Sequence, residues 1–267
     1  MTLTELRRRL FAAGIEEAAE EARLLFSHFT GLAPAALFGS DPVCTDPALE
    51  EAVLRREGRE PLAYILGEAP FYRSLLAVSP AVLVPRADTE RLVELAVARL
   101  PRGARFCDLC TGSGAIAVTV LSERPDTVAV ATDISAAALA VARENAVRLG
   151  VLDRLTLLEA DLLATPPECG FDAILSNPPY IPSSVVATLS PEVGHEPALA
   201  LDGGEDGLVF YRRLLSLADR LNEGGFLLLE CGYDQKEDME RLSAEYHLRM
   251  EPFYDYGKNF RGCFLTR

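Results

Sequence analysis

From residue 89 onward the sequence alternates short apolar runs with longer helical stretches, and this alternation constrains the fold more than any other feature. The apolar runs lie at residues 105–109, 127–132, 155–159, 171–176 and 226–230, and helical patterning occupies 115–122, 136–149 and 208–221. Short runs that are apolar on consecutive positions suit strands buried on both faces, as in parallel sheets. Strands alternating with helices predict an α/β fold with a parallel, doubly wound sheet. The chain before about residue 80 is patterned differently. Thr2 and Glu5 have the spacing of a capping box, and Leu6, Leu10 and Phe11 follow at helical intervals up to Gly14. Ala18, Ala22, Leu25 and Phe29 mark a second helix that Gly31 ends, and Asp46-Pro47 starts a third that Gly58 closes. Residues 71–84 are extended in character, with Pro80 and Pro85 limiting helix formation. The expected organisation is a helical bundle over residues 1–69, a hairpin or linker over 70–87 and a sheet domain over 88–267.

Among 267 residues, 26 basic against 40 acidic side chains give a net charge of -14. Affinity for a phosphate backbone comes from Lys and Arg displacing counterions, so nucleic acid is disfavoured as the main partner. Six cysteines in a chain of this length do not form a disulfide framework. Cys107-x-x-Cys110 has no second pair or spaced histidines to complete a tetrahedral site, so no metal is expected. Cys107, Cys231 and Cys263 fall in apolar runs where a thiol acts as a small hydrophobe. The N-terminus lacks a signal-peptide core and no apolar stretch is long enough to span a bilayer, so a cytoplasmic protein is expected.

Residues 106–117 read as strand, glycine turn and helix. Gly112 and Gly114 would let the backbone approach a ligand that a Cβ would hold off. The third glycine of a dinucleotide fingerprint is replaced by Ala117, and the Lys-Ser/Thr of a phosphate-binding loop is missing. Asp108 ends the first strand and would repel a phosphate. Asp133, about twenty residues on, suits the two hydroxyls of a ribose. A ligand with an ammonium group, a sulfonium, a ribose and an adenine fits this set, which points to S-adenosylmethionine. Asp161 is placed to border the adenine edge, with Leu162 against its ring. The plainer alternative makes Asp108 and Asp161 helix caps.

Asn177-Pro178-Pro179-Tyr180 follows the strand at 171–176, at the end where ligands bind in open α/β sheets. The Asn177 side-chain oxygen and the Pro178 carbonyl can converge on one NH2 group, and Tyr180 offers a flat face to a planar amide or base. Asn177, Pro178 and Tyr180 are therefore the expected catalytic residues, with Pro179 completing the substrate loop. An amide nitrogen is a poor nucleophile, so orientation and acceptors for its N–H groups are what the reaction needs.

The ordered set Pro61-Leu-Ala-Tyr-Ile-Leu-Gly67, Val84-Pro-Arg-Ala-Asp-Thr-Glu90, Asp108-Leu-Cys-Thr-Gly-Ser-Gly114, Asn177-Pro-Pro-Tyr-Ile181, Glu196-Pro197 and Asp255-Tyr-Gly257 resembles the HemK-type release-factor glutamine methyltransferases over nearly the whole chain. The resemblance implies a class I S-adenosylmethionine-dependent, Rossmann-like fold with a seven-stranded sheet. It implies methylation of the side-chain N5 of glutamine in the Gly-Gly-Gln loop of peptide chain release factors. Cofactor contacts are implied at Cys110, Thr111, Gly112, Ser113, Gly114, Asp133, Leu162 and Asn177, and a partner-recognition role for residues 1–69. Cys110 stands where the family commonly has glycine, His195 where an aromatic is frequent, and Phe260 where an acidic residue is. Asn-Pro-Pro-Tyr alone is shared with adenine N6 and ribosomal-protein glutamine methyltransferases, which are the alternative readings beside a noncatalytic cofactor-binding protein. Arg86, Asp88 and Glu90 form a charged cluster read either as a helix start or as pocket closure. His195 reads as structural, and a monomer is expected.

Overall fold

The Thr2 hydroxyl accepts a hydrogen bond from the Glu5 amide at 3.1 Å and starts α1 (Leu3–Ala12). α2 (Ala18–Thr30) ends on Gly31 in the left-handed conformation, φ 70°, which glycine adopts without a Cβ penalty. The Asp46 carboxylate caps α3 (Pro47–Glu57) through the Ala48 amide at 2.9 Å, and α4 (Leu62–Leu66) follows. Leu6, Leu10, Leu25, Phe26, Leu49 and Val53 bury their side chains between these helices. These helices belong to one of two compact units of the computed structural model, which describes residues 1–162 and 169–267. The first unit comprises Met1–Glu68 together with Ser190–His195, and the second Ala69–Leu189 with Glu196–Arg267.

Ion pairs clasp the first unit. Arg9 bonds Glu57 through two nitrogens at 2.8 and 2.7 Å and reaches Glu50 at 2.6 Å. Arg56 is buried and pairs with Glu21 at 2.6 Å and with Glu192, from the returning segment, at 3.2 Å. Arg59 also meets Glu192, at 2.7 Å.

The second unit opens with the hairpin of β1 (Glu68–Phe71) and β2 (Ser74–Ala77). Then come α5 (Ala87–Arg99), β3 (Arg105–Leu109), α6 (Ala115–Glu123), β4 (Val128–Asp133), α7 (Ala136–Arg148), β5 (Leu155–Glu159) and β6 (Phe171–Ser176). The short α8 (Ser183–Val186), α9 (Val209–Ser216), β7 (Leu221–Glu230), α10 (Lys236–Glu245), β8 (Arg249–Tyr254) and β9 (Phe260–Thr266) complete it. The seven-stranded sheet runs β5-β4-β3-β6-β7-β9-β8; neighbours are parallel from β5 to β7, and β9 is antiparallel to both of its neighbours. The expected helix at 208–221 is shorter, because a 3₁₀ turn at Leu217–Arg220 follows α9 and β7 starts at Leu221.

Apolar clusters cover both faces of this sheet. One gathers Phe106, Ala131, Leu175 and Leu228 with α5 and α6; the other gathers Leu109, Ile174, Leu227 and Leu229 with Tyr211, Leu214 and Met239. Alternate residues of each strand thus feed opposite faces, as the two-residue repeat of a strand requires. β3 and β6 are adjacent in the sheet, yet the chain leaves β3 toward β4 on one side and β6 toward β7 on the other. That switch point opens a crevice at the carboxyl ends of the two strands, where Leu109 and Ser176 are paired.

Candidate active site

A cavity of about 310 Å³ lies in that crevice, within the size range of small-molecule sites. The glycine loop forms its floor. Cys110 holds φ +61°, a conformation that strains a side-chain-bearing residue. Gly112 holds φ +54° with open space where a Cβ would project, whereas a Cβ on Gly114 would meet Ala142 at 3.0 Å. Gly112 therefore serves approach to a ligand and Gly114 serves packing of the loop on α7. Asn145, buried in α7, fixes the same loop from below. Its Nδ2 donates to the Ser113 carbonyl at 2.9 Å and to the Ala77 carbonyl at 3.0 Å, and its Oδ1 accepts from the Ala77 amide at 2.6 Å.

Cys110, Thr111, Gly112, Ser113, Asp133, Asp161, Leu162, Asn177 and Pro179 all line the cavity. The Asp133 carboxylate accepts from the Gly112 amide at 2.9 Å through one oxygen and from the Ser135 amide at 2.9 Å through the other. Each oxygen keeps a further lone pair, which suits two neighbouring hydroxyls.

Asp108 is placed differently from that reading. It is fully buried behind the loop and outside the cavity lining. Its Oδ2 accepts from the Thr111 hydroxyl at 2.6 Å and from the Ala117 amide at 3.2 Å, so it braces the loop against the first turn of α6. Its Oδ1 has no partner among the described residues. Burial raises its pKa to about 7, only partly offset by the Thr111 and Ala117 bonds. Burial, with Asp133 and Asp108 nearby, also raises the Cys110 thiol above the ordinary cysteine range, so that thiol is not activated.

The Asn177 loop is held from behind by the Gly203-Gly204-Glu205-Asp206-Gly207 segment. The Ile181 amide donates to the Leu201 carbonyl at 3.0 Å, and the Gly203 amide donates to the Ile181 carbonyl at 2.8 Å. A Cβ on Gly203 would lie 2.8 Å from Tyr180 Cα, and one on Gly207 would lie 2.4 Å from the Tyr180 carbonyl oxygen. Gln235 Nε2 also donates to that carbonyl, at 3.1 Å. Pro178 is buried and absent from the cavity lining. Tyr180 likewise packs against the apolar cluster around Tyr211 rather than lining the cavity. Burial and the neighbouring Glu230 push its phenol up to about 12. The flat cavity-side face expected of Tyr180 is instead Phe210, from α9.

Asn177 does face the cavity. Its Nδ2 donates to the Thr89 hydroxyl at 3.3 Å, which leaves its Oδ1 as an acceptor. The charged cluster at the start of α5 resolves into two pairs. Arg86 Nη2 donates to both oxygens of buried Glu196, at 2.8 and 2.9 Å, and Asp88 meets Arg261 at 3.2 Å. Glu90 accepts from the Tyr72 amide at 2.8 Å. His195 belongs to the first unit, with its Nε2 3.2 Å from the Gly58 carbonyl. The stretch read as a linker also contributes, since Ala81, Val82, Leu83 and Pro85 form one wall. Exposed Ile134 and Leu199 stand among the lining residues as apolar rim positions.

Residues 2–67 match the family model described as PrmC N-terminal domain, and residues 88–196 match that described as Methyltransferase small domain. A release factor glutamine methyltransferase of Moorella thermoacetica is 41% identical over 99% of this chain and 96% of its own. The chain belongs to the release factor glutamine methyltransferase family. Proteins of the same name from Caulobacter vibrioides and Cereibacter sphaeroides are 42% and 47% identical, over 90% and 85% of this chain and 86% and 83% of theirs. A methyltransferase structure from Pyrococcus furiosus superposes with a TM-score of 0.54 at 19% identity, covering 71% of this chain and 86% of that one. The fold is that of the class I S-adenosylmethionine-dependent methyltransferases, preceded by the helical unit.

Proposed function

We propose that the protein transfers a methyl group from S-adenosylmethionine to the side-chain N5 of the glutamine in the Gly-Gly-Gln loop of peptide chain release factors. The observation that carries the reading is Asn177, whose amide nitrogen is engaged by Thr89 while its oxygen remains an acceptor at the cavity. Near-full-length identity to relatives named for release factor glutamine methylation narrows the nitrogen to that of a protein glutamine. The same likeness disfavours adenine N6 as the target, as does the net charge of -14.

The residues fit the cofactor. Asp133 and Asp161 are acidic, and the cationic Arg86 is neutralised by Glu196, so the lining favours a cationic ligand over a phosphate. The open space over Gly112 leaves room for the ligand to approach the backbone. In this reading Asp133 holds the ribose hydroxyls, Ile134 and Leu162 flank the adenine, and residues 110–114 cradle the methionine portion. Asp108 acts from beneath, with its unpartnered oxygen providing negative charge behind the loop. S-adenosylmethionine supplies an electrophilic methyl carbon on a sulfonium.

The chain's own work is to prepare the nitrogen. Asn177 Oδ1 accepts an N–H of the glutamine amide, which orients it and favours charge build-up on nitrogen. The apolar walls from Val82, Leu83 and Phe210 keep water from the reacting atoms. The helical unit, matched by the PrmC N-terminal family, serves partner recognition. Labelled S-adenosylmethionine, incubated with a release factor, with its Gln-to-Ala loop variant or with unmethylated DNA, tests the reading. Label is expected on the intact release factor alone. Equal label on the loop variant, or label on DNA, overturns the assignment.

A further inference from the structure

The Asn177-Pro178-Pro179-Tyr180 loop needs support from outside itself. Its two prolines fix φ at consecutive positions but carry no N–H, so the loop is anchored through its carbonyls and its ends. The leading end is set by β6, where Ser176 is paired with Leu109 and its hydroxyl donates to the Leu109 carbonyl at 2.6 Å. The trailing end is met by Gln235, a buried side chain outside the cavity lining and one residue before α10.

The Gln235 side chain uses every N–H it has. Its Nε2 donates to the Tyr180 carbonyl at 3.1 Å and to the Gly207 carbonyl at 3.2 Å, and its Oε1 accepts from the Gly232 amide at 2.9 Å. All three partners are main-chain groups that cannot exchange donor for acceptor, so they fix which way the amide lies. They come from three separate segments: the loop after β6, the glycine turn before α9 and the end of β7.

Two of the partners leave room for this clamp by lacking a side chain. A Cβ on Gly207 would lie 3.0 Å from Gln235 Nε2, and one on Gly232 would lie 3.1 Å from Gln235 Oε1. Two of the clamped segments also lead directly into the cavity. Asn177 and Pro179 line it just before Tyr180, and Phe210 lines it three residues after Gly207. We propose that Gln235 is a positioning residue which sets Asn177 against Phe210 and so holds the width of the slot that receives the substrate amide. The proposal rests on the reading of Asn177 as the acceptor for that amide. Packing does not account for a glutamine here, since an apolar side chain of equal length would fill the space while taking a partner from three main-chain groups.

Gln235→Met keeps the length without the bonds, and Gln235→Glu keeps the acceptor for Gly232 while setting an oxygen against two carbonyls. In methylation kinetics on a release factor, each should lower kcat by about tenfold to a hundredfold, the scale of a small misplacement of reacting groups, with cofactor Kd within about twofold. The chain has four asparagines, so ¹⁵N-asparagine labelling gives four side-chain NH2 pairs, and Asn177→Ala identifies one of them by its loss. Gln235→Met should shift that pair. In an Asn177→Ala background, Gln235→Met should cost no more than about threefold further, since most of its effect passes through Asn177. If Gln235→Met does not fold, Gln235→Glu carries the same measurements. An unchanged kcat, an unshifted Asn177 pair or a full multiplicative loss in the double variant overturns the proposal. A wild-type protein that transfers no label to the release factor while its Asn177 pair responds as described defeats the functional reading and leaves the positioning role supported.

Discussion

Arg56 in the helical unit and Glu230 in the sheet unit are almost equally hidden from solvent, with 5% and 1% exposed, yet their surroundings are opposite. Arg56 meets Glu21 and Glu192, so its burial is matched by opposite charge on two sides. Among the described residues, Glu230 keeps an oxygen without a partner, and so does Asp108, and each is held near a pKa of about 7 by burial. The helical unit uses buried charge to tie helices together. The sheet unit concentrates under-satisfied carboxyls beside one crevice, where perturbed groups mark functional sites. The difference separates charge that holds a fold from charge that prepares a site.

Removing Arg56 is the strongest way to break this comparison. Arg56→Ala strands Glu21, while Glu192 keeps Arg59, and should cost about 3 kcal/mol, the lower end of the penalty for breaking a buried pair. Hydrogen exchange should show the loss in α1 to α3, with cofactor binding in the sheet unit unchanged. Equal loss of protection in both units would erase the distinction.

Asn177→Ala tests the sheet side. Loss of one amide acceptor should lower kcat by roughly 10²–10³, with cofactor Kd changed by no more than a few-fold and thermal stability nearly unchanged. Steady-state kinetics beside calorimetry separates these quantities. Turnover that survives with only weaker cofactor binding would remove Asn177 from the substrate side.

Asp108→Asn sharpens the contrast through pH. The folded-state pKa is raised to about 7 from the ordinary aspartate value of 3.8, so the contribution of Asp108 to stability is fully present below pH 3.8 and is lost as pH rises toward 7. A neutral asparagine avoids that loss. The variant should therefore gain stability over the wild type between pH 5 and 8, by about 2–3 kcal/mol, at 1.36 kcal/mol per pKa unit. Thermal melts of the cofactor-free proteins at both ends of that window check the sign. A gain that shrinks with rising pH would refute it.

The smallest expected effect is at Gly112. Its φ of +54° makes Gly112→Ala strained by about 1 kcal/mol, but no atom lies in the way of the new Cβ. Stability should fall by little more than that, while cofactor affinity falls at least several-fold because the methyl enters the space reserved for approach. Unchanged affinity measured by calorimetry would move the cofactor away from this loop.

Three parallel strands were legible to the residue, because Arg105–Leu109, Leu155–Glu159 and Phe171–Ser176 are bounded by turns and carry apolar patterning. The last two strands were not read from pattern, for physical reasons. β8 carries Pro252, tolerable because this strand is at the sheet edge, and β9 carries Gly262, where a Cβ would lie 2.2 Å from the Leu229 carbonyl. At the site, the strand-end rule located the Asn177 loop but not the direction of its side chains. Tyr180 turns to the apolar cluster, and Phe210 from a distant helix takes the cavity face. Asp108 looked like a ligand contact because its position at a strand end says nothing about the Thr111 and Ala117 bonds that turn it inward. Thr89 and Asn145 escaped notice because their partners lie 32 or more residues away, and Glu230 because it closes an apolar run. The glycines at 203 and 207 did offer a signal, a Gly-Gly-x-x-Gly cluster with no helix to end and no ligand to cradle.

The excursion of Ser190–His195 into the helical unit has a consequence for anyone who would move that unit elsewhere. The chain enters it twice, so a single cut after residue 68 yields an incomplete module that lacks Glu192 and leaves Arg56 with one counter-ion of two. Transplanting the helical unit onto a foreign enzyme thus requires a donor insert of six residues from the middle of the gene. Two-piece inheritance of this kind binds the fates of both halves, since neither can be exchanged by recombination at one breakpoint.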